Sequence, residues 1–253
     1  MKAEKYDPAF FEGSQERVES SARTVVPLLM ELFKPESVVD FGCGTGTWLA
    51  VFKKLGVKTI LGLDGEWVSE RQLMIDKHDF QQCDLACAPL VDHPFGLALS
   101  LEVAEHLPDA VASRFVEAIT NASSIVIFSA AIPFQGGTGH INEQWPEYWA
   151  KLFQSRDFVA LDILRPRLWD DPRIEPYYAQ NMFAFVSAKR VAEFESLANG
   201  RAEGFSNSLT RIHPKLWESK MIEAQDFARY GTVKLLRALA RSVVRSVAVR
   251  LGK

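Results

Sequence analysis

From Gln15 to Phe33 the apolar residues Val18, Ala22, Val25, Val26, Leu29, Met30 and Phe33 recur with a helical period. Ser14 is placed to cap this helix and Pro35 to stop it. Pro27 falls inside the run and predicts a kink or a break into two helices. A short apolar run, Ser37 to Phe41, then reads as a buried strand, followed by a glycine-rich turn and a helix from Thr47 to Leu55. Lys58 to Leu63 predicts a second strand ending at Asp64, and Phe80 to Asp84 a weaker third. Phe95 to Leu101 suits a central strand, Pro108 to Asn121 an amphipathic helix opened by proline, and Ser124 to Ala130 the clearest buried strand in the chain. Strands alternating with helices predict a mostly parallel sheet with right-handed crossovers.

Beyond Ile132 the pattern changes. A polar loop containing glycines runs to Gln144, and a helix led by Pro146 runs to Gln154. Strands are expected at Phe158–Leu164 and Asn181–Ser187; with no helix expected between them, they predict an antiparallel hairpin at one sheet edge. Phe205 to Tyr230 is poorly periodic and reads as an extended connector. Thr232 to Leu251 predicts an amphipathic helix with Lys234, Arg237, Arg241 and Arg245 on one face.

Charge sharpens the view of that tail. The last 23 residues carry a formal +6 and no acid, against −3 for the whole chain, so the remaining 230 carry about −9. A body of that sign argues against nucleic acid as a partner. The basic helix at 231–253 suits an anionic membrane surface or a protein partner, and equally a face of its own domain. No run of eighteen apolar residues and no signal-like apolar stretch near the first residues occurs, which predicts a cytoplasmic protein, at most peripheral at the inner membrane face. Three cysteines (Cys43, Cys83 and Cys87) fit a reducing compartment and are too few for a structural zinc site.

The segment Val38-Val39-Asp40-Phe41-Gly42-Cys43-Gly44-Thr45-Gly46 carries the first chemistry. A buried strand delivers Asp40, and three glycines let the backbone turn and approach a ligand before a helix begins. The G-x-G-x-G spacing, with an acid two residues ahead, differs from the dinucleotide fingerprint, and no Lys-Ser/Thr follows as a phosphate loop requires. Asp64 and Asp84 end the next two strands. Either acid alone would be read as a strand-end turn; three acids at successive strand ends around one glycine loop point to a ligand site.

These segments, with Cys83-Asp84-Leu85 and Ser100-Leu-Glu-Val-Ala-Glu-His-Leu107, resemble the motifs of class I S-adenosylmethionine-dependent methyltransferases. The resemblance covers roughly residues 35–190. It implies a Rossmann-like α/β fold with a seven-stranded sheet and an antiparallel edge, to which a C-terminal helical extension is added here. It further implies that the Gly42–Gly46 loop passes under the methionine part of the cofactor, that Asp64 with Gly65 holds the ribose, and that Asp84 with Leu85 holds the adenine. Asp40, Cys43 and Leu101 complete the expected cofactor contacts. The start, Tyr6-Asp7-Pro8-Ala9-Phe10-Phe11, resembles a lead-in that covers the cofactor, so 1–34 is expected to be a covering segment, 35–190 the core, 191–230 a connector and 231–253 a tail helix.

Methyl transfer needs an aligned acceptor, a route for its proton and exclusion of water. Glu105 and His106 beyond the fourth strand, and His140 beyond the fifth, are the expected catalytic residues. Two mechanisms stay open. A histidine takes the proton from a hydroxyl, or Glu102, Glu105, His106 and His140 hold a divalent cation such as Mg2+ that acidifies it. The E-x-x-E-H run resembles the metal-binding set of small-RNA 2′-O-methyltransferases, but is also widespread in methyltransferases without metal. Asn142, Gln144 and Trp145, with Arg165 and Trp169, are expected to bind the acceptor, the tryptophans as flat apolar faces and the arginine as a phosphate clamp. The run His140 to Trp149, with Arg165, Arg167 and Tyr177 to Asn181, resembles a bacterial group often associated with surface-polysaccharide genes. That implies O-methylation of a sugar or glycan precursor. A small-molecule acceptor such as a quinone or amine, or a non-catalytic scaffold that binds the cofactor, are the alternatives.

Overall fold

In the computed structural model of the protein, residues 8–194 and 209–229 are described, apart from 90 and 93, with side chains described from 15 to 224. The expectations at 231–253, and at Tyr6 and Asp7 of the lead-in, lie outside those residues. The chain divides into two compact units, Met1–His213 and Pro214–Lys253.

The first unit is built on a seven-stranded sheet, formed by β1 (Ser37–Phe41), β2 (Thr59–Asp64), β3 (Phe80–Gln82), β4 (Leu97–Leu101), β5 (Ile125–Ser129), β6 (Phe158–Leu161) and β7 (Phe183–Ser187). Their order across the sheet is β3-β2-β1-β4-β5-β7-β6. All pairs are parallel except those of β7, which runs antiparallel to both β5 and β6. The chain leaves β1 toward β2 and β3 on one side and returns to β4 on the other. The crevice at the strand ends between β1 and β4 is therefore the place where such sheets bind ligands.

Alternating side chains of the strands feed two apolar layers. Val38, Ile125 and Ile127 face the layer that holds α1 (Pro8–Phe33) and α2 (Thr47–Lys54), with Leu29, Phe33, Trp48 and Phe52 at its centre. Val39, Phe41, Val126 and Phe128 face the layer of α3 (Ala112–Ala122) and α4 (Pro146–Gln154). There Phe153 stacks on Phe185 with centroids 3.8 Å apart, and Phe128 packs against Trp149, Phe153 and Phe185.

Three sequence expectations are corrected here. Helix α1 is one helix through Pro27, and it begins at Pro8, so Ser14 lies within it rather than capping it. Proline is well suited to a first helical position, where its missing N–H has no partner to lose. Between β6 and β7 the chain forms α5 (Arg165–Leu168) and α6 (Pro176–Asn181), each with a proline in its first turn, so the edge is not a direct hairpin. The expected connector contains α7 (Pro214–Arg229), the described part of the second unit. Its Trp217, Met221 and Ile222 are exposed, and Lys220 pairs with Glu223 at 2.9 Å. No described helix is long and apolar enough to cross a membrane.

Candidate active site

The end of β1 sets the first half of the site. Gly42, Gly44 and Gly46 all take positive φ, at 90°, 54° and 81°. At Gly42 the need for glycine is also steric: a Cβ would lie 2.3 Å from Val103 Cγ2. Gly44 differs, because a Cβ there meets nothing within 4 Å. The loop thus packs hard on one flank and is open at its middle glycine, leaving room for a ligand against the backbone.

Asp64, buried at the end of β2, organises this loop. One carboxylate oxygen accepts the Gly44 N–H at 2.6 Å and the other the Gly65 N–H at 2.7 Å. The Trp67 side chain donates to it as well, and burial raises its pKa against the lowering effect of these donors. Asp40 is buried too, and burial followed by the Asp64 charge pushes its pKa up to about 7. Two buried acids, one of which raises the other's cost of ionisation, create a site that favours a cationic ligand. A ligand carrying an ammonium and a sulfonium suits it, so the residues present fit S-adenosylmethionine. Cys43 is buried with its thiol pushed up by burial and then by Asp40, and its sulfur packs where Gly62 leaves space. That makes it a packing residue.

The other expected cofactor residues are more mixed. Leu101 is buried at the end of β4, and Leu85 is buried in the turn that follows β3. Asp84 is exposed and caps the turn after β3 by accepting the Ala86 N–H at 2.9 Å. Sequence reasoning missed Trp67, which is 73% exposed yet lies so close over Gly65 that a Cβ there would fall 2.2 Å from its ring. A tryptophan three residues after the β2 acid was the available signal.

The second half of the site lies beyond β4 and β5. Glu102 takes φ of 56°, an uncommon conformation for a side-chain-bearing residue. Its carboxylate accepts from Gln135 Nε2 at 2.9 Å and Asn181 Nδ2 at 3.1 Å. The loops after β4 and β5 and the end of α6 therefore meet at Glu102. Neither amide was anticipated from the sequence, because their contacts span 33 and 79 residues.

Glu105 is 0% exposed, and both its carboxylate oxygens are buried without a hydrogen-bond partner among the described residues. Burial, then the Glu102 charge, pushes its pKa well above the ordinary carboxylate range. Its backbone oxygen accepts from Ile141 and Asn142 at 2.9 and 3.0 Å, which binds the β5 loop to the β4 loop. His140 Nε2 is thereby brought 3.9 Å from Glu105 Oε1. His140 and His106 meet edge to face at 4.8 Å, and His106 Nδ1 lies 3.3 Å from the Gly139 carbonyl. Burial and then His140 lower the pKa of His106. Glu105, His106 and His140 offer ligand atoms within 4.8 Å of one another, whereas Glu102 is engaged by its two amides. The expected four-residue cation set is thus not assembled as a quartet.

Asn142 and Gln144 lie beside this cluster, joined by a 2.9 Å bond from Gln144 Nε2 to Asn142 Oδ1, and Asn142 Nδ2 is buried without a partner. Trp145 is exposed at the start of α4. Two expected acceptor residues are engaged within the protein. Arg165 is 0% exposed: it grips Asp162 with two nitrogens at 2.8 and 2.5 Å, donates to the Gln180 and Leu209 carbonyls, and lies 4.2 Å over the Phe183 ring. With its donors spent inside the protein it holds the fold, not a phosphate. Trp169 packs at 4.8 Å on His213 and accepts from its Nε2 at 2.8 Å through the backbone, so it braces the 209–213 segment.

Residues 14–126 match the family model of a methyltransferase domain. Among solved structures the chain is similar to the methyltransferase domain of bacterial CtHen1-C, at 19% identity and a TM-score of 0.50, covering 68% of this chain and 98% of that one. It is also similar to DesVI of Streptomyces venezuelae, at 14% identity and a TM-score of 0.51, covering 73% and 100%. A third is magnesium protoporphyrin IX methyltransferase from Synechocystis PCC 6803, solved with bound S-adenosylhomocysteine, at 14% identity and a TM-score of 0.50, covering 73% and 90%. At these identities the likeness is one of fold. No curated protein matches the chain.

Proposed function

We propose that this methyltransferase moves the methyl group of S-adenosylmethionine to a hydroxyl of a sugar or glycan precursor, with His140 as the general base. The observation that carries the reading is the Glu105–His106–His140 cluster, buried at its centre and set beyond β4 and β5 on the edge that also carries the glycine loop. When bound, the cofactor supplies the methyl group as an electrophile on a sulfonium. The protein supplies the rest. In this reading Gly42 to Gly46 and Asp40 hold the methionine part, Asp64 and Gly65 take the ribose, and Leu85 with Asp84 lines the adenine, with 1–34 as the cover and 35–190 as the core. His140 Nε2 accepts the acceptor's proton, and the buried neutral Glu105 keeps competing charge away from it. Asn142, Gln144 and Trp145 supply the amides and flat face that suit a hydroxylated ring.

A second reading has its own support. Phe134 is 85% exposed and Ile141 64%, and both lie in the loop that carries His140. An apolar rim of that kind suits an acceptor with an apolar portion, such as a quinone. Transfer of labelled methyl from S-adenosylmethionine to a panel of nucleotide sugars, glycans, quinones and amines separates these readings. Transfer to sugars alone supports the first, transfer to quinones alone the second, and binding without transfer to any acceptor leaves a scaffold. Loss of turnover with a chelator and recovery with magnesium would replace the base by a cation at the same cluster.

A further inference from the structure

The geometry points to Glu143 as the positioning residue that sets the tautomer of His140, an inference that rests on the base reading above. Glu143 Oε1 lies 2.9 Å from His140 Nδ1. The same oxygen accepts the Gly136 N–H at 2.7 Å, while Oε2 accepts the Phe134 N–H at 2.9 Å. Every one of these partners is a donor, so the carboxylate acts as an acceptor throughout and Nδ1 carries the hydrogen. Nε2 is then left with its lone pair, the form a base requires, on the side of the ring that faces Glu105 at 3.9 Å.

The ring is fixed from its other edge as well. A Cβ at Gly137 would lie 2.2 Å from His140 Nε2, so only glycine lets the backbone pass this close to the reacting nitrogen. His106 closes a third side edge to face. Glu143 thus joins the turn Phe134–Gly136 to the histidine and holds both in one arrangement.

This placement has a consequence for charge. As the acceptor oxygen forms its bond to the methyl carbon, the carbon–sulfur bond breaks and the cofactor leaves as a neutral thioether. The acceptor's O–H bond breaks and its proton passes to His140 Nε2. The positive charge lost from sulfur therefore reappears on the imidazolium, beside the Glu143 carboxylate, which stabilises it without contact to either substrate.

Long-range proton–nitrogen NMR of the full chain tests this. The His140 signals are identified among the five histidines by their loss in His140→Ala. In the wild type they are expected to show hydrogen on Nδ1. In Glu143→Leu no side-chain acceptor is left for Nδ1, and the hydrogen is expected to move toward Nε2. The same variant is expected to lower kcat roughly 10²-fold with KM for S-adenosylmethionine changed less than about twofold, as for loss of a positioned base. Glu143→Asp, which keeps the carboxylate, is expected to recover part of kcat. Hydrogen on Nε2 in the wild type, or a tautomer unchanged in Glu143→Leu, would overturn the inference. Turnover intact in His140→Ala would instead overturn the base reading, while the tautomer measurement still reports on Glu143.

Discussion

Glu105→Gln isolates the buried acid at the centre of the site. A carboxyl whose pKa is raised on folding holds its proton more tightly in the folded than in the unfolded protein. Its ionisation therefore favours unfolding, and stability falls as pH rises from the unfolded pKa toward the folded one. For Glu105 that window runs from about 4.5 to about 9, set by burial first and the Glu102 charge second. Within it the slope is about 1.4 kcal/mol per pH unit. The side chain is 0% exposed, so solvent screening does not reduce this appreciably. Glutamine keeps the shape and does not ionise. Urea unfolding of both proteins at about pH 6 and pH 8 should show the wild type losing up to about 3 kcal/mol more than Glu105→Gln across the interval. Asp40 and the titrating groups outside the Glu102–Glu105 pair are present in both and largely cancel, so the difference reports on that pair. Parallel stability curves for the two proteins would refute the placement of Glu105 as a buried, neutral acid.

Further outcomes follow from the same geometry. Gly42→Ala should destabilise by about 2–4 kcal/mol in urea, through positive φ and the clash with Val103, whereas Gly44→Ala should cost only about 1 kcal/mol because its Cβ meets nothing. Arg165→Ala should cost about 3–5 kcal/mol by leaving Asp162 and two carbonyls without their buried donor, and the surviving folded fraction should keep its KM. Asp40 takes up a proton as pH falls through about 7, so calorimetric affinity for the cationic cofactor should rise with pH up to neutrality and level off above it.

How much of this was legible beforehand divides along physical lines. The strands, the glycine loop and the acids Asp40 and Asp64 at the strand ends were readable because each rests on local pattern: apolar runs, positive-φ turns and strand-end carboxylates, whereas Asp84 lies past the end of β3. Glu105, His106 and His140 were anticipated as one set drawn from two loops, and the fold brings those loops together through backbone bonds from the 141–142 segment to Glu105. Arg165 was misread because a sequence displays its charge but not Asp162, Gln180, Leu209 and Phe183, which surround it. Gln135 and Asn181 were assigned no role at the site for the same reason: neutral amides acquire meaning only from partners that folding supplies. Helices α5 and α6 were hidden because their prolines read as breakers, although a first-turn proline starts a helix well.

The central claim is methyl transfer assisted by His140 beside a cofactor held at the glycine loop. Single-turnover transfer of labelled methyl, measured for wild type and His140→Ala in samples whose S-adenosylmethionine affinity is determined by calorimetry, tests it most directly. The account predicts matching affinities, within about twofold, and a transfer rate lowered roughly 10²-fold or more in the variant. Equal transfer rates at equal cofactor occupancy would contradict it.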